Sequence, residues 1–231
     1  MKKIIFLLIA FISISGLSKA QIYFGANAGI NMSNLKTAVN GKDDGFKGDI
    51  GYVLAVNVNI PVNTNLLLQT GLEYESYHTK INATNTSPGY SETINGKTHV
   101  EFLTIPMKLL LQMPSGNNVF TVGGGVYAGI GISGHTKGAV YSMYDNGAGL
   151  IVRDTNITDE GLRFGSAARQ LKQMNLGLNI TAAYLLQNNI CFTLYTNFGL
   201  ANLNNQQKST TRASAAGIMI GYVFGRKTKK S

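Results

Sequence analysis

Four residues of this chain have the types that nucleophilic chemistry needs. Ser76, His78, His99 and Glu101 offer a hydroxyl, two imidazoles and a carboxylate, the groups used in acyl transfer. If the segments 66–79 and 98–112 pair as antiparallel strands, Ser76 falls opposite Glu101 and His78 opposite His99. All four then share one face. The surroundings argue for a plainer role, because polar side chains are expected wherever a strand leaves an apolar layer, and no oxyanion hole is visible. The two histidines alone make a poor metal site. The expectation is a protein without enzyme activity, metal or cofactor.

A second polar group lies inside a greasy run. In "EFLTIPMKLLLQMPSGNNVF", residues 101–120, the alternate positions Leu103, Ile105, Met107, Leu109 and Leu111 are all apolar, while Lys108 stands on the other face. Pro106 excludes a helix here, since it removes a backbone donor and clashes one turn back. Glu73 and Glu75 on the preceding strand share the Lys108 face and can pair with it, joined by Tyr127 and Tyr195. Such a cluster reads as an internal plug of ion pairs, or more sharply as a gated path for a small solute. The glycines of 123–134 lack the strand-to-helix context of a phosphate-cradling loop. They make room for larger side chains across an enclosed space. A bulge or a water is expected beside Pro106, which cannot donate to a ladder.

These groups must be positioned by strands. Alternating segments recur at 22–31, 49–60, 66–79, 98–112, 119–133, 173–186, 190–201 and 210–224. Short connections rich in Pro, Gly and Asn ("PVNTN", "MPSGNN", "QNN") alternate with long ones at 32–48, 80–97, 134–172 and 202–209. One face is continuously apolar: Ile50, Tyr52, Leu54 and Val56, then Leu176, Leu178 and Ile180, then Ile218 and Ile220. The other is small and polar, with Asn57, Asn59, Asn175, Asn179 and Thr181. Apolar-out and polar-in is the pattern of a strand in lipid. The fold class expected is therefore all-β: an eight-stranded antiparallel transmembrane β-barrel of the outer-membrane type, with short periplasmic turns and long outer loops. Eight strands leave an interior just filled by side chains, which favours the plug over the path.

The aromatics fall into two girdles on this assignment. Phe24, Phe120, Tyr184, Phe192, Tyr222 and Phe224 lie near the short-turn end, and Tyr52, Tyr74 and Phe198 towards the other. Ahead of the barrel, Lys2 and Lys3 precede an apolar run ending in "LSKA", a secretory signal peptide with cleavage after Ala20. The organisation expected is a signal peptide at 1–20, a barrel at 21–225 and a basic periplasmic tail at 226–231. The chain is basic, with a formal net charge of +9. No aromatic interleaving accompanies the tail's charges, so nucleic acid is not an expected partner. The loop 134–172 carries Arg153, Arg163 and Arg169 among acidic residues. It is the natural outer binding surface, and "EGLRFGSAARQLKQ" could hold a short helix.

"FGANAGINMSNL" (24–35), "FLTIPMKLLLQM" (102–113), "FTVGGGVYAGIGISG" (120–134) and "FGLANLNN" (198–205) resemble the PorT-type outer-membrane β-barrel family of Bacteroidota, over residues 22 to 225. The resemblance implies an eight-stranded barrel in the bacterial outer membrane. Its partners would be outer-membrane lipids and lipopolysaccharide, the barrel assembly machinery and an envelope protein. The function expected is structural or interactive, with a filled lumen and outer loops as the binding surface. The alternatives are a part of an envelope secretion machinery, a narrow porin, and an outer-leaflet lipid A acyl hydrolase built on Ser76, His78, His99 and Glu101.

Overall fold

The computed structural model describes residues 21–39, 42–43, 46–87, 90–145, 151–167, 170–206 and 209–226. The expected signal peptide, and the tail beyond Arg226, lie outside the described residues. Ten strands follow one another: β1 (Tyr23–Val39), β2 (Lys42–Asp43), β3 (Phe46–Pro61), β4 (Leu66–Ser87), β5 (Tyr90–Ser115), β6 (Asn118–Asp145), β7 (Ile151–Gly161), β8 (Met174–Leu185), β9 (Ile190–Gly199) and β10 (Ser209–Phe224). Eight of them form a ring in the order β1-β3-β4-β5-β6-β8-β9-β10, closed by antiparallel pairing of β10 with β1 from Phe24↔Phe224 to Val39↔Ser209. Closure removes every free edge of the ring, so each backbone donor in lipid has a neighbouring strand to bond.

The eight strands lie where alternation places them, and their faces divide as expected. Ile50, Leu54, Val56, Leu178, Ile180, Ile218 and Ile220 are exposed on the outer wall, whereas Val53, Asn57, Asn59, Asn175, Asn179 and Thr181 are buried inside. The short turns are locally encoded. Asn63 Oδ1 accepts hydrogen bonds from the amides of Asn65 and Leu66 at 2.9 and 2.8 Å. Gly116 takes φ 62° between β5 and β6, a left-handed turn conformation that glycine adopts without a Cβ penalty.

Four strands run far beyond their expected ends: β1 continues through much of the expected 32–48 loop to Val39, paired with β10, and β4, β5 and β6 are extended as well. The segment 80–97 is not a loop but the continuation of the β4–β5 hairpin, paired up to Ser87↔Tyr90. Likewise β6 pairs with β8 only as far as Ile130↔Met174, then exchanges that partner for β7 from His135↔Gly161 to Asp145↔Ile151. Strands β4, β5, β6 and β7 thus stand above the ring as a four-stranded wall. No helix occurs among the described residues of 134–172. After β7 the chain bends back, held by a Phe164↔Leu171 bridge.

Pro106 brings no bulge. The β4–β5 register is the same on both sides of it, and the ladder omits only the pairs facing Pro106 and Ile105. Thr70 Oγ1 donates to the Pro106 carbonyl at 2.8 Å. One register shift lies in β3–β4 between Gly48 and Val53; another lies between Glu101 and Phe102, which face Ser133 and Gly131, so that Ile132 is the extra residue of β6. One added residue reverses the side-chain alternation of everything beyond it.

Candidate functional site

That reversal has a consequence on the outer wall. His135 and Lys137 now face outward beside the residues of β5 and β4. The chain carries "HTK" at 78–80, "KTH" at 97–99 and "HTK" at 135–137. Antiparallel register stacks them, with His78↔His99↔His135 in one row and Lys80↔Lys97↔Lys137 in the next. His99 stacks on His135 at a centroid distance of 5.7 Å, and His78 lies beside His99 at 5.6 Å with its ring tilted by 45°. These are all three histidines of the chain. The lysine row extends on one side to Lys47, paired with Lys80, and on the other to Asp159, paired with Lys137.

Two carboxylates answer this row. Asp49 Oδ1 lies 2.6 Å from Lys80 Nζ, and Asp159 Oδ2 lies 3.0 Å from Lys137 Nζ. Asp159 also binds His135 through its other oxygen. The Lys137 ammonium, helped by His135, holds the Asp159 carboxyl below the usual carboxylate range. Lys97, in the centre, has no ion-pair partner among the described residues. Above the lysines a groove of about 380 Å³ is lined by Lys80, Lys97, Lys137, Asn82, Asn95 and Ile157, with the Asp159 carboxylate at its β7 side.

Just below, Ser76 faces Glu101 and His78 faces His99 in the ladder. Ser76 Oγ lies 2.8 Å from His78 Nε2. Ser76, however, has no accessible surface, and Glu101 Oε1 accepts from Tyr52 at 3.2 Å instead of meeting an imidazole. Tyr52 and Tyr74 pack at 5.8 Å over this carboxylate. The four residues are neighbours, but their hydroxyl is sealed and their carboxylate is turned to a tyrosine. No group of three or more His, Cys, Asp or Glu suited to a metal occurs among the described residues.

Within the barrel, Lys108 Nζ donates to Glu73 Oε1 at 2.7 Å, both groups almost wholly buried. Glu75 does not share this bridge. Its carboxylate accepts from Tyr77 at 2.9 Å and from Asn197 Nδ2 at 2.9 and 3.1 Å. Tyr77 and Asn197 are thus the residues that the sequence reading missed, although both stand on the inward face by alternation. Tyr195 takes a hydrogen bond from Asn31 at 3.3 Å, and the Tyr127 ring lies over Gly177, its direct ladder partner on β8. A space of about 50 Å³ is left on the short-turn side of Lys108.

Above the polar layer the mouth is closed by an apolar cap. Tyr77, Val100, Phe102, Leu35, Leu203, Ala213 and Ala215 form its buried core, with Leu162, Phe164 and Leu171 packed onto it from the returning segment. Phe164 sits in a slot over Gly131, where a Cβ would collide with its ring. Below, Tyr23, Leu67, Leu110, Leu185 and Val223 close the other end.

The aromatic residues Phe24, Tyr52, Phe120, Tyr184, Phe192, Phe198, Tyr222 and Phe224 are exposed on the outer wall, and Tyr74 is half-buried there. Phe120, Tyr184 and Phe192 are paired across three strands near the short turns. Arg153 lies on β7 opposite Met143 and Arg163 beyond the strand's other end, so the structure does not bring them together. Arg169 lies outside the described residues.

The sequence matches the family described as outer membrane protein beta-barrel domain over residues 18–205. Among solved structures it is similar to Ail, the attachment invasion locus protein of Yersinia pestis, in complex with the heparin analogue sucrose octasulfate. That match has 11% identity and a TM-score of 0.39, covering 89% of this chain and 100% of that one. Neisserial surface protein A gives 11% identity and a TM-score of 0.36, covering 87% of this chain and 96% of that one. No curated protein matches the sequence.

Proposed function

The chain belongs to the outer membrane protein beta-barrel domain family, and from that premise we propose a closed, non-enzymatic barrel of the bacterial outer membrane that holds an interaction surface above the lipid. One observation carries the reading. The lumen is blocked at three levels, by an apolar layer, the Lys108–Glu73 and Glu75–Tyr77–Asn197 layer, and the Phe164 cap, with a space of only about 50 Å³ left between them. Such a lumen supports an anchor over a pore. The rigid four-stranded wall supports a role in presentation. Nothing in this role needs a cofactor.

The sealed Ser76 hydroxyl favours packing over acyl hydrolysis. A finer assignment, to a PorT-type envelope secretion machinery, draws on the four sequence motifs and requires an envelope protein that co-purifies with the barrel. The closed-barrel reading is tested in planar bilayers. Purified protein that shifts its electrophoretic mobility on boiling, as a folded barrel does, is expected to give no single-channel steps. Discrete ohmic steps from that folded form would overturn it.

A further inference from the structure

We infer that the outward face of β4–β7 binds a phosphorylated saccharide carried by a glycolipid of the outer leaflet. The inference rests on the reading of this protein as a surface-interaction barrel and names the ligand chemistry of its wall.

The lysine row is an arrangement that opposes folding. Lys47, Lys80, Lys97 and Lys137 are direct cross-strand partners, one on each of four adjacent strands. Like charges directly opposite each other destabilise a sheet. Four ammonium groups meet two carboxylates, Asp49 and Asp159. Among the described residues Lys97, at the centre of the row, has no ion-pair partner, so the row carries positive charge that its carboxylates do not meet there. A phosphomonoester supplies about −1.5 to −2 charge and three acceptor oxygens, opposite in sign to the unmet Lys97 charge and with acceptors to spare for the lysine on either side. Lysines serve such a group as point charges that need no fixed fork geometry.

The groove supplies the rest of the recognition. One step farther along the strands, Asn82 faces Asn95, and Ala139 faces Ile157. Two amides that both donate and accept, set beside an exposed apolar side chain, suit the hydroxyls and one face of a sugar ring. The threefold His-Thr-Lys repeat holds this array on strands that are hydrogen-bonded on both sides.

Height above the lipid selects the source. Leu103, the last apolar outward residue of β5, is six positions from Lys97, about 20 Å along the strand. Lys97 therefore stands above the hydrocarbon, at the level of saccharide, with His99 and Glu101 between it and the exposed apolar wall of Ile105 and Met107 that faces acyl chains.

The test uses the full-length mature barrel in detergent and native mass spectrometry. The probes are a purified rough-type lipopolysaccharide and the same material after removal of its phosphates with hydrogen fluoride. Wild type is expected to retain the phosphorylated glycolipid at least ten-fold more than the dephosphorylated one. The triple variant Lys80→Gln, Lys97→Gln, Lys137→Gln is expected to lose that preference while keeping its heat-dependent mobility shift. Equal retention of both probes, or an unchanged preference in the triple variant, would sink the inference. Inorganic phosphate at millimolar concentration is expected to leave retention unchanged. Full displacement would assign the site to free phosphate and overturn the glycolipid source.

A second measurement uses Lys97→Gln alone. Without glycolipid it should raise the temperature of the mobility shift at low salt, because repulsion in the row is relieved. With glycolipid bound it should lower that temperature relative to wild type. The same sign in both conditions would show that the row is not completed by this ligand. Conductance remains an independent measure of the closed lumen, so failure here leaves that reading standing.

Discussion

Lys108 and Lys137 each lie within 3.0 Å of a carboxylate, yet the two bridges belong to different physical regimes. In the lumen, Lys108 and Glu73 have 2% and 3% of their side-chain surface exposed, so neither charge can turn to water if its partner is lost. On the wall, Lys137 and Asp159 are 68% and 53% exposed, and solvent screens both. The lumen uses charge as filler and must compensate it locally. The wall carries charge in excess and leaves it available. A similar distance is thus a structural requirement in one region and a weak tie in the other.

The largest effect should come from breaking the lumen pair. Lys108→Ala strands Glu73 as a buried unpaired charge, at a cost of about 3–5 kcal/mol. The urea concentration that abolishes the compact, unboiled band should fall sharply, a readout suited to a chain without tryptophan. The double variant Lys108→Met, Glu73→Gln should recover most of the loss. A single variant as stable as wild type would erase the contrast between the two regions.

A smaller effect is expected one turn of the network away. Tyr77→Phe removes the hydroxyl that donates to Glu75 Oε2 and leaves the ring in the cap. The loss should be about 2 kcal/mol, the range for a hydrogen bond to a charged group. If the midpoint does not move, Asn197 alone suffices for Glu75 and the lumen is less exacting than the Lys108 pair implies.

The smallest effect belongs to the wall and to acid. The Asp159 carboxyl is held below its ordinary value of 3.8 by Lys137 and His135. A depressed value contributes stability that is present above the ordinary one and lost as pH falls through the lower, folded one. Acidification below about pH 4 should therefore increase amide exchange at the β6–β7 pairs near Lys137 while the ring strands stay protected. Exchange that rises equally in the ring would show that the wall and the barrel are not separable.

The contrast also explains what could be read along the chain. Within lipid, one face of a strand must be apolar, so Ile50 to Val56 and Leu176 to Ile180 announce both strand and facing. Above lipid that requirement ends. "KINATNTS" and "YSETINGK" hydrogen-bond as regularly as the ring, but both their faces are polar, and period-two alternation vanishes there. The bulge at Ile132 is invisible to a parity argument for a different reason: it changes the parity itself. The three His-Thr-Lys copies were the available signal for the outer site, legible as a short repeat. The cap offered less, because Phe164 and Leu203 meet only through the closed ring, and a single glycine at 131 marks the slot.

That slot governs when the barrel can be finished. Leu35 of β1 and Ala213 of β10 both belong to the cap, and these two strands come together only when the ring zips shut. Contacts of such long sequence separation are made late, after the entropy of bringing distant strands together has been met. Phe164 rests on Gly131 of β6 and Phe102 of β5, but the cap that it joins is complete only when the seam between the first and last strands has formed. Up to that moment the assembling barrel has an unstoppered end, and the returning segment acts as a latch that records completed closure.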